Sequence, residues 1–190
     1  MKDQIKNKTD AEDLKWVRKA RKGNVKAFEK LVLKYQKRIY HAIRKIILDH
    51  DDTNDIVQDT FVKAYSNLHR FDEKFCFYPW LHRIAINTTI NFKNKTSRLQ
   101  LFSAQSDDDE INQFVKNGGN PLEEIIEAEF KEKVSEALQK LPLDQRMVFM
   151  LRTSEELSYQ EISDQLDISI GTVMSRLSRA RAKLKELLQK

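Results

Sequence analysis

L-S-Y-Q-E-I-S-D-Q-L-D-I-S-I-G-T-V-M-S-R-L-S-R-A-R, running from Leu157 to Arg181, is the stretch that decides the fold of the C-terminal third of this chain. Ser158 and Glu161 stand three apart before an apolar pair. A serine hydroxyl there accepts from the backbone N–H of Glu161 while the glutamate reaches back, which starts a helix. Ile162 and Leu166 mark the inner side of that short helix. Asp167-Ile168-Ser169 then form a turn, and Ser169 opens a longer helix. Helix, tight turn and longer helix make the helix-turn-helix pattern, in which the second helix enters the DNA major groove. Along that second helix Val173, Leu177, Ala180, Leu184 and Leu187 recur at helical spacing as one apolar stripe. Thr172, Ser175, Arg176, Arg179 and Lys183 flank it on one side, Arg181 and Lys185 on the other. Arginine can pair bidentately with guanine, and lysine and serine with phosphate oxygens. A basic last turn that merely complements the helix dipole would account for Lys183 and Lys185, but not for Arg176 and Arg179 in the middle.

Upstream of this motif, the pattern predicts helices near 122–140 and 143–153, followed by 158–166 and 169–188. Asn120 would cap the first of them, with Pro121 in its first position and Glu123 in its third. Residues 96–121 lose all periodicity. Their acidic run Asp107–Glu110 and the pair Gly118-Gly119 read as a tether, because so few apolar residues cannot offset the entropy of ordering.

The first half is helical too. Phe28, Leu31, Val32, Tyr35, Ile39, Ala42, Ile43, Ile46 and Ile47 hold helical spacing and break strand alternation at once, so one long helix runs from about Val25 to Leu48, capped by Asn24. A shorter helix over Ala11–Arg21 precedes it. The next starts after Asp51-Asp52 and should bury Ile56, Val57, Thr60, Phe61, Ala64, Tyr65 and Leu68. A loop from Arg70 to Tyr78 leads to Pro79 in the first turn of a helix expected from Trp80 to about Lys95. This segment carries Phe71, Phe75, Phe77, Tyr78, Trp80 and Phe92 among Arg70, Lys74, Arg83, Lys93 and Lys95, with the amides of Asn87, Asn91 and Asn94. Aromatics interleaved with cations suit single-stranded nucleic acid, whose bases need a π surface and whose backbone needs positive charge. Aromatics at helical spacing are equally at home in a core, where Trp80, Ile84 and Phe61 fit best; the loop set Phe75, Phe77 and Tyr78 is less easily placed there. Asp55, Gln58 and Asp59 share an outer helix face, which by itself looks like an ordinary solvated stripe.

Composition agrees with an all-α chain of two small helical domains. Only 4 Gly and 3 Pro occur in 190 residues, too few for a many-stranded sandwich or barrel. The single Cys76 rules out an internal disulfide and a cysteine-cluster zinc site. The longest apolar run, Met147–Leu151, is far short of the ~20 residues that span a membrane, and no signal-peptide core opens the chain, so a soluble intracellular protein is expected. The formal net charge of +5 conceals segregation: +9 over residues 1–95, −2 over 96–121, −7 over 122–167 and +5 over 168–190. The two positive segments coincide with the two candidate nucleic-acid readers. Nothing points to catalysis or a cofactor. His41, His50, His69 and His82 lack ligand spacing, Cys76 has no evident base, and a calcium-loop reading of the segment from Asp49 fails at Asn54 and Thr60.

Taken together, these segments resemble the sigma-70 family of bacterial sigma factors, in its extracytoplasmic-function group. D-D-T-N-D-I-V-Q-D-T-F-V-K-A-Y (Asp51–Tyr65) is similar to region 2.2 of the family, and F-Y-P-W-L-H-R-I-A-I-N (Phe77–Asn87) to the end of 2.3 and to 2.4. L-P-L-D-Q-R-M-V-F-M-L (Leu141–Leu151) and Leu157–Arg181 are similar to regions 4.1 and 4.2. The resemblance implies a region 2-like helical bundle over 1–95, a flexible linker over 96–121 and a region 4-like helix-turn-helix bundle over 122–190. It further implies a cytoplasmic, non-catalytic transcription initiation factor that binds core RNA polymerase and promoter DNA. Asp55, Gln58 and Asp59 match the face that docks on the β′ clamp helices, and the region 4-like domain would meet the β flap. Lys74, Phe75, Phe77, Tyr78, Trp80, Arg83, Asn87, Asn91 and Lys93 match the −10 reader, where a flipped base is captured. Thr172, Ser175, Arg176, Arg179, Arg181 and Lys183 match the −35 reader. An anti-sigma factor is a further partner the resemblance suggests. The chain departs from the common pattern at Ile86 (often Arg), Asn91 (often Asp), Met174 (often basic) and Ser178 (often His).

Overall fold

The computed structural model describes the backbone of residues 2–100 and 121–189, and side chains over 11–95, 129–130 and 132–189. Among these residues there are eight α-helices and one short 3-10 turn, with no strand. The chain divides into two compact units, Met1–Ser106 and Asp107–Lys190. The acidic run, the Gly118-Gly119 pair and the Asn120 cap lie outside the described residues.

In the first unit, α1 spans Lys2–Arg21, earlier in its start than the periodicity suggested, and α2 spans Val25–Ile47. Gly23 turns between them at φ +84°, a conformation that strains any residue with a Cβ. Asn24 then caps α2, its side chain accepting from the N–H of Ala27 at 3.0 Å. Eight of the nine apolar residues that mark α2 are buried, and Val32 is half-buried. Asp13 of α1 is buried against α2, where it accepts from the Lys34 ammonium and the Tyr35 hydroxyl. An isolated buried carboxylate would be costly, and these two donors compensate it. Leu48 adopts the left-handed conformation, and Asp49 caps α3, His50–Ser66, by accepting from Asp52 N–H at 2.7 Å. The helix thus begins before Asp51-Asp52, which sit in its first turn and suit its dipole. Tyr65, expected inside, is 40% exposed, with its ring tilted against Phe28.

The turn Leu68–Arg70 leads into α4, Phe77–Gln100, which starts three residues before Trp80 and extends past Lys95. Pro79 therefore occupies the third helical position, where its missing N–H still has no intrahelical role. Ile56, Leu81, Ala85 and Ile86 are fully buried, as are Leu31, Ile39 and Ile43, where α2, α3 and α4 pack together. Ile86 is fully buried within that core.

The second unit comprises α5 (Pro121–Gln139), α6 (Leu143–Thr153), α7 (Tyr159–Leu166) and α8 (Ile170–Leu188). Ala137, Leu141, Ala180 and Leu184 form one core cluster, with Leu138, Phe149 and Leu187 packed against it. Arg146 is buried at the end of α5, where it donates to the carbonyl of Leu138 at 3.1 Å. That contact satisfies a helix-terminal acceptor that would otherwise face the interior.

Candidate nucleic-acid interface

The helix-turn-helix is built as the capping residues require. Ser158 and Glu161 form a complete capping box, with Ser158 N–H donating to Glu161 at 2.7 Å and Glu161 N–H to Ser158 at 3.2 Å. These contacts lower the Glu161 pKa, through the Ser158 side chain first and its backbone second. Asp167 closes α7 in the left-handed region at φ 53°, and Ser163 Oγ donates to the Ile168 carbonyl at 2.5 Å, which fixes the turn. Ser169 caps α8 by accepting from Thr172 N–H at 3.1 Å. Val173, Leu177, Ala180 and Leu184 are buried beneath α8. The opposite surface is thereby held outward.

On that surface Arg179 and Arg181 are exposed, and Thr172, Ser175, Arg176 and Lys183 are half-buried. The structure adds two constraints that residue spacing does not carry. Arg176 forms an ion pair with Asp144 of α6, Nε to Oδ2 at 3.1 Å, so its guanidinium is tethered to the scaffold. Lys183 pairs with Glu186 at 3.1 Å one turn further on. The hydroxyls of Thr172 and Ser175 are also engaged locally: Thr172 lies 2.9 Å from Ser169 Oγ, and Ser175 donates to the Thr172 carbonyl at 3.1 Å. Arg179, Ala182, Lys183 and Glu186 border an open cleft with Lys140, Pro142 and Gln145 from the α5–α6 corner. With Lys183 paired to Glu186, Lys140 and Arg179 are the cations of this cleft that suit a phosphate oxygen.

The loop of the first unit separates its aromatics sharply. Phe75 is 67% exposed, whereas Phe77 is 1% exposed at the start of α4. Phe77 packs on Tyr35 (5.7 Å between centroids), Phe71 (5.6 Å) and Trp80 (5.5 Å). Phe77 is therefore a core residue and does not join the loop surface, a correction to the sequence expectation. The helix starts at Phe77 itself, so its ring falls under the first turn. Trp80 is half-buried on Phe71 and Phe77, partly on the core side as expected for it. Tyr78 is half-buried between Tyr35, 5.8 Å away, and the Arg38 guanidinium, 3.4 Å above its ring. Lys74 is exposed beside Phe75.

On α4, Arg83, Asn87 and Asn91 are exposed and four apart, so they form a row along one face. Lys93 does not belong to that row. It lies on the flank toward α3, half-buried and 3.4 Å from Asp52. Asp55, Gln58 and Asp59 are all exposed on α3, and the row continues into Val62, 65% exposed. A valine that open, one turn beyond two carboxylates, is an apolar component of this face that charge patterning did not reveal.

Residues missed by sequence reasoning anchor the loop from behind. Arg21 at the end of α1 donates through Nε to the Leu68 carbonyl at 2.9 Å, to the Phe71 carbonyl, and through Nη1 to Glu73 at 2.8 Å. Arg18 donates to the other oxygen of Glu73 at 2.7 Å. Only the basic last turn of α1 hinted at this.

Among the described residues the architecture is that of two all-helical units with a helix-turn-helix in the C-terminal one. Residues 31–99 match Sigma-70 region 2, and residues 131–184 match Sigma-70, region 4. The RNA polymerase sigma-H factor of Pseudomonas aeruginosa is 35% identical over 185 residues, 95% of this chain and 96% of that protein. The ECF RNA polymerase sigma-E factor of Escherichia coli K12 is 33% identical over 177 residues, 91% and 92% of the two chains. The solved structure of sigma factor RpoE with the anti-sigma factor NepR from Bartonella quintana superposes with TM-score 0.68 at 27% identity, covering 86% of this chain and 98% of that one. The chain belongs to the sigma-70 family of RNA polymerase sigma factors, in its ECF group. No described helix is long and apolar enough to cross a membrane.

Proposed function

We propose that this sigma factor works as a dissociable, non-catalytic specificity subunit of RNA polymerase whose two units, divided between α4 and α5, read the −10 and −35 elements separately. The observation that carries the reading is the pairing of two outward helix faces with chemistry for DNA, one in each unit: Arg83, Asn87 and Asn91 on α4, and Thr172, Ser175 and Arg179 on α8. Phosphate contacts from Arg181, Lys183 and the Lys140 cleft supply affinity that falls with salt. Exposed Phe75 offers a stacking surface for a base released on melting, worth ~1–3 kcal/mol, with Lys74 and Tyr78 beside it. Asp55, Gln58, Asp59 and Val62 form the docking face for the polymerase β′ clamp helices, and the second unit meets the β flap. Two weak readers held on one polymerase reinforce each other through effective concentration, so neither need bind tightly alone. The Bartonella quintana relative is held by an anti-sigma factor, and control of this chain by a partner of that kind belongs to the same proposal.

Run-off transcription with core polymerase on a genomic promoter library tests it. The native chain should yield promoter-specific transcripts that share two spaced elements. The double variant Asp55→Lys, Asp59→Lys should lose polymerase binding and transcription while retaining duplex binding by the second unit. Absence of both polymerase binding and specific transcripts with the native chain would overturn the reading.

A further inference from the structure

The outward surface of α8 is not uniformly polar. Met174 is 53% exposed and Ile170, one turn before it, 39% exposed. Four residues apart, they share a face near the start of the helix, the part of a recognition helix that reaches base edges. Gly171 between them is open, with only Ser169 Oγ within 4 Å of where a Cβ would stand, so no side chain shields the pair on that side. Arg181 follows Met174 at seven residues on the same flank, with Lys185 beyond it, and both are exposed. The patch is thus apolar near the helix start and cationic further along it. In the major groove the apolar group among the base edges is the thymine C5-methyl, and the polar edges around it are read by hydrogen bonds that methionine and isoleucine cannot make.

We propose that Met174, supported by Ile170, is a specificity-determining residue that reads one or two thymine methyl groups in the −35 element. The proposal rests on the assignment of α8 as the −35 reader. The cations further along the helix select a duplex as the occupant, since phosphates bordering the groove would meet Arg181 and Lys185 while the methyl meets the thioether. The Arg176–Asp144 ion pair sharpens the role of the patch: with that guanidinium tethered to α6, a larger share of base contact falls to the residues that stand clear of the scaffold.

The test uses holoenzyme assembled from the full chain and core polymerase. A duplex is first selected from a random library. Each thymine of its upstream element is then replaced in turn by deoxyuridine, which removes the methyl group alone. Affinity should fall about fourfold at one or two positions, the fold-change equivalent to the ~0.8 kcal/mol of one buried carbon group. Met174→Ala should bind the thymine and uracil duplexes equally at those positions. Met174→Arg, selected afresh, should prefer guanine there, because arginine pairs with its O6 and N7. Equal affinity for thymine and uracil at every position, or an unchanged uracil penalty in Met174→Ala, overturns the proposal. If the native holoenzyme selects no upstream element, the assignment of α8 itself falls, and this inference with it.

Discussion

Arg21 and Glu73 lie 52 residues apart in sequence and 2.8 Å apart in space, with the guanidinium also donating to the carbonyls of Leu68 and Phe71. One side chain at the end of α1 therefore anchors the whole entry to the Phe75 loop. The fork geometry matters, since a lysine cannot reach three acceptors in different directions. Both Arg21→Ala and Arg21→Lys should leave the helices folded but speed amide exchange over residues 69–76 by at least about tenfold. Loss of a charged hydrogen bond of about 1.5–3 kcal/mol has that consequence. Promoter melting, followed by permanganate reactivity of the −10 thymines, should fall in parallel. Unchanged exchange in both variants would show that Arg21 does not hold the loop.

Phe75 and Phe77 are two residues apart and have opposite roles. Phe77→Ala should cost the first unit ~3–5 kcal/mol, seen as a large drop in its melting temperature, because it empties a packed aromatic core. Phe75→Ala removes an exposed ring, so stability should stay within about 0.5 kcal/mol. Its effect should appear instead as roughly a tenfold loss of affinity for a promoter with a pre-opened −10 bubble. Equal destabilisation by the two variants would contradict this division.

The ion pair of Asp144 with Arg176 is partly exposed on both sides, so its contribution to stability is small, under about 1 kcal/mol. Asp144→Asn should therefore shift the melting temperature only slightly. Released from Asp144, Arg176 becomes available to the duplex, and affinity for the selected duplex should rise by roughly threefold. Binding to a scrambled duplex should not weaken, since a negative charge has been removed from near the phosphates. Competition titration against both duplexes distinguishes these effects.

Two groups of the second unit have shifted pKa values. Burial lowers the Arg146 pKa to about 10. Between that value and the ordinary arginine range the unfolded chain binds the extra proton, so stability rises with pH only there; at neutral pH the group is charged in both states and contributes no slope. Arg146→Ala should instead cost ~2–3 kcal/mol at any pH from 5 to 9, by leaving the end of α5 without its donor. Glu161 behaves in the opposite sense. Its pKa is lowered by Ser158 contacts, so its stabilisation is fully present above the ordinary glutamate pKa and is lost as pH falls through the lowered value. Glu161→Gln should flatten the acid limb of an α7 unfolding profile monitored by hydrogen exchange, and retention of that limb would exclude the capping contact as its source.

Helix periodicity, the Ser158 and Ser169 caps and the segregation of charge are local properties, legible because each depends on residues a few positions apart. They were sufficient for the order of helices α2 and α5–α8, for the helix-turn-helix and for the outward face of Asp55, Gln58 and Asp59. The limits of local reading are visible at particular residues. Pro79 is compatible with several positions in a first turn, and the helix starts at Phe77 because that ring finds Tyr35, Phe71 and Trp80 beneath it. Lys93 and Arg176 carry the right charge for DNA, yet each has an acidic neighbour on another helix, Asp52 and Asp144. Arg21 and Asp13 look like surface residues until α1 is laid against the rest of the unit. Periodicity thus determined which side of each helix is apolar. Only the tertiary structure decided which polar and aromatic side chains are consumed in holding the helices together and which are left to read DNA, because that depends on contacts between segments distant in the chain.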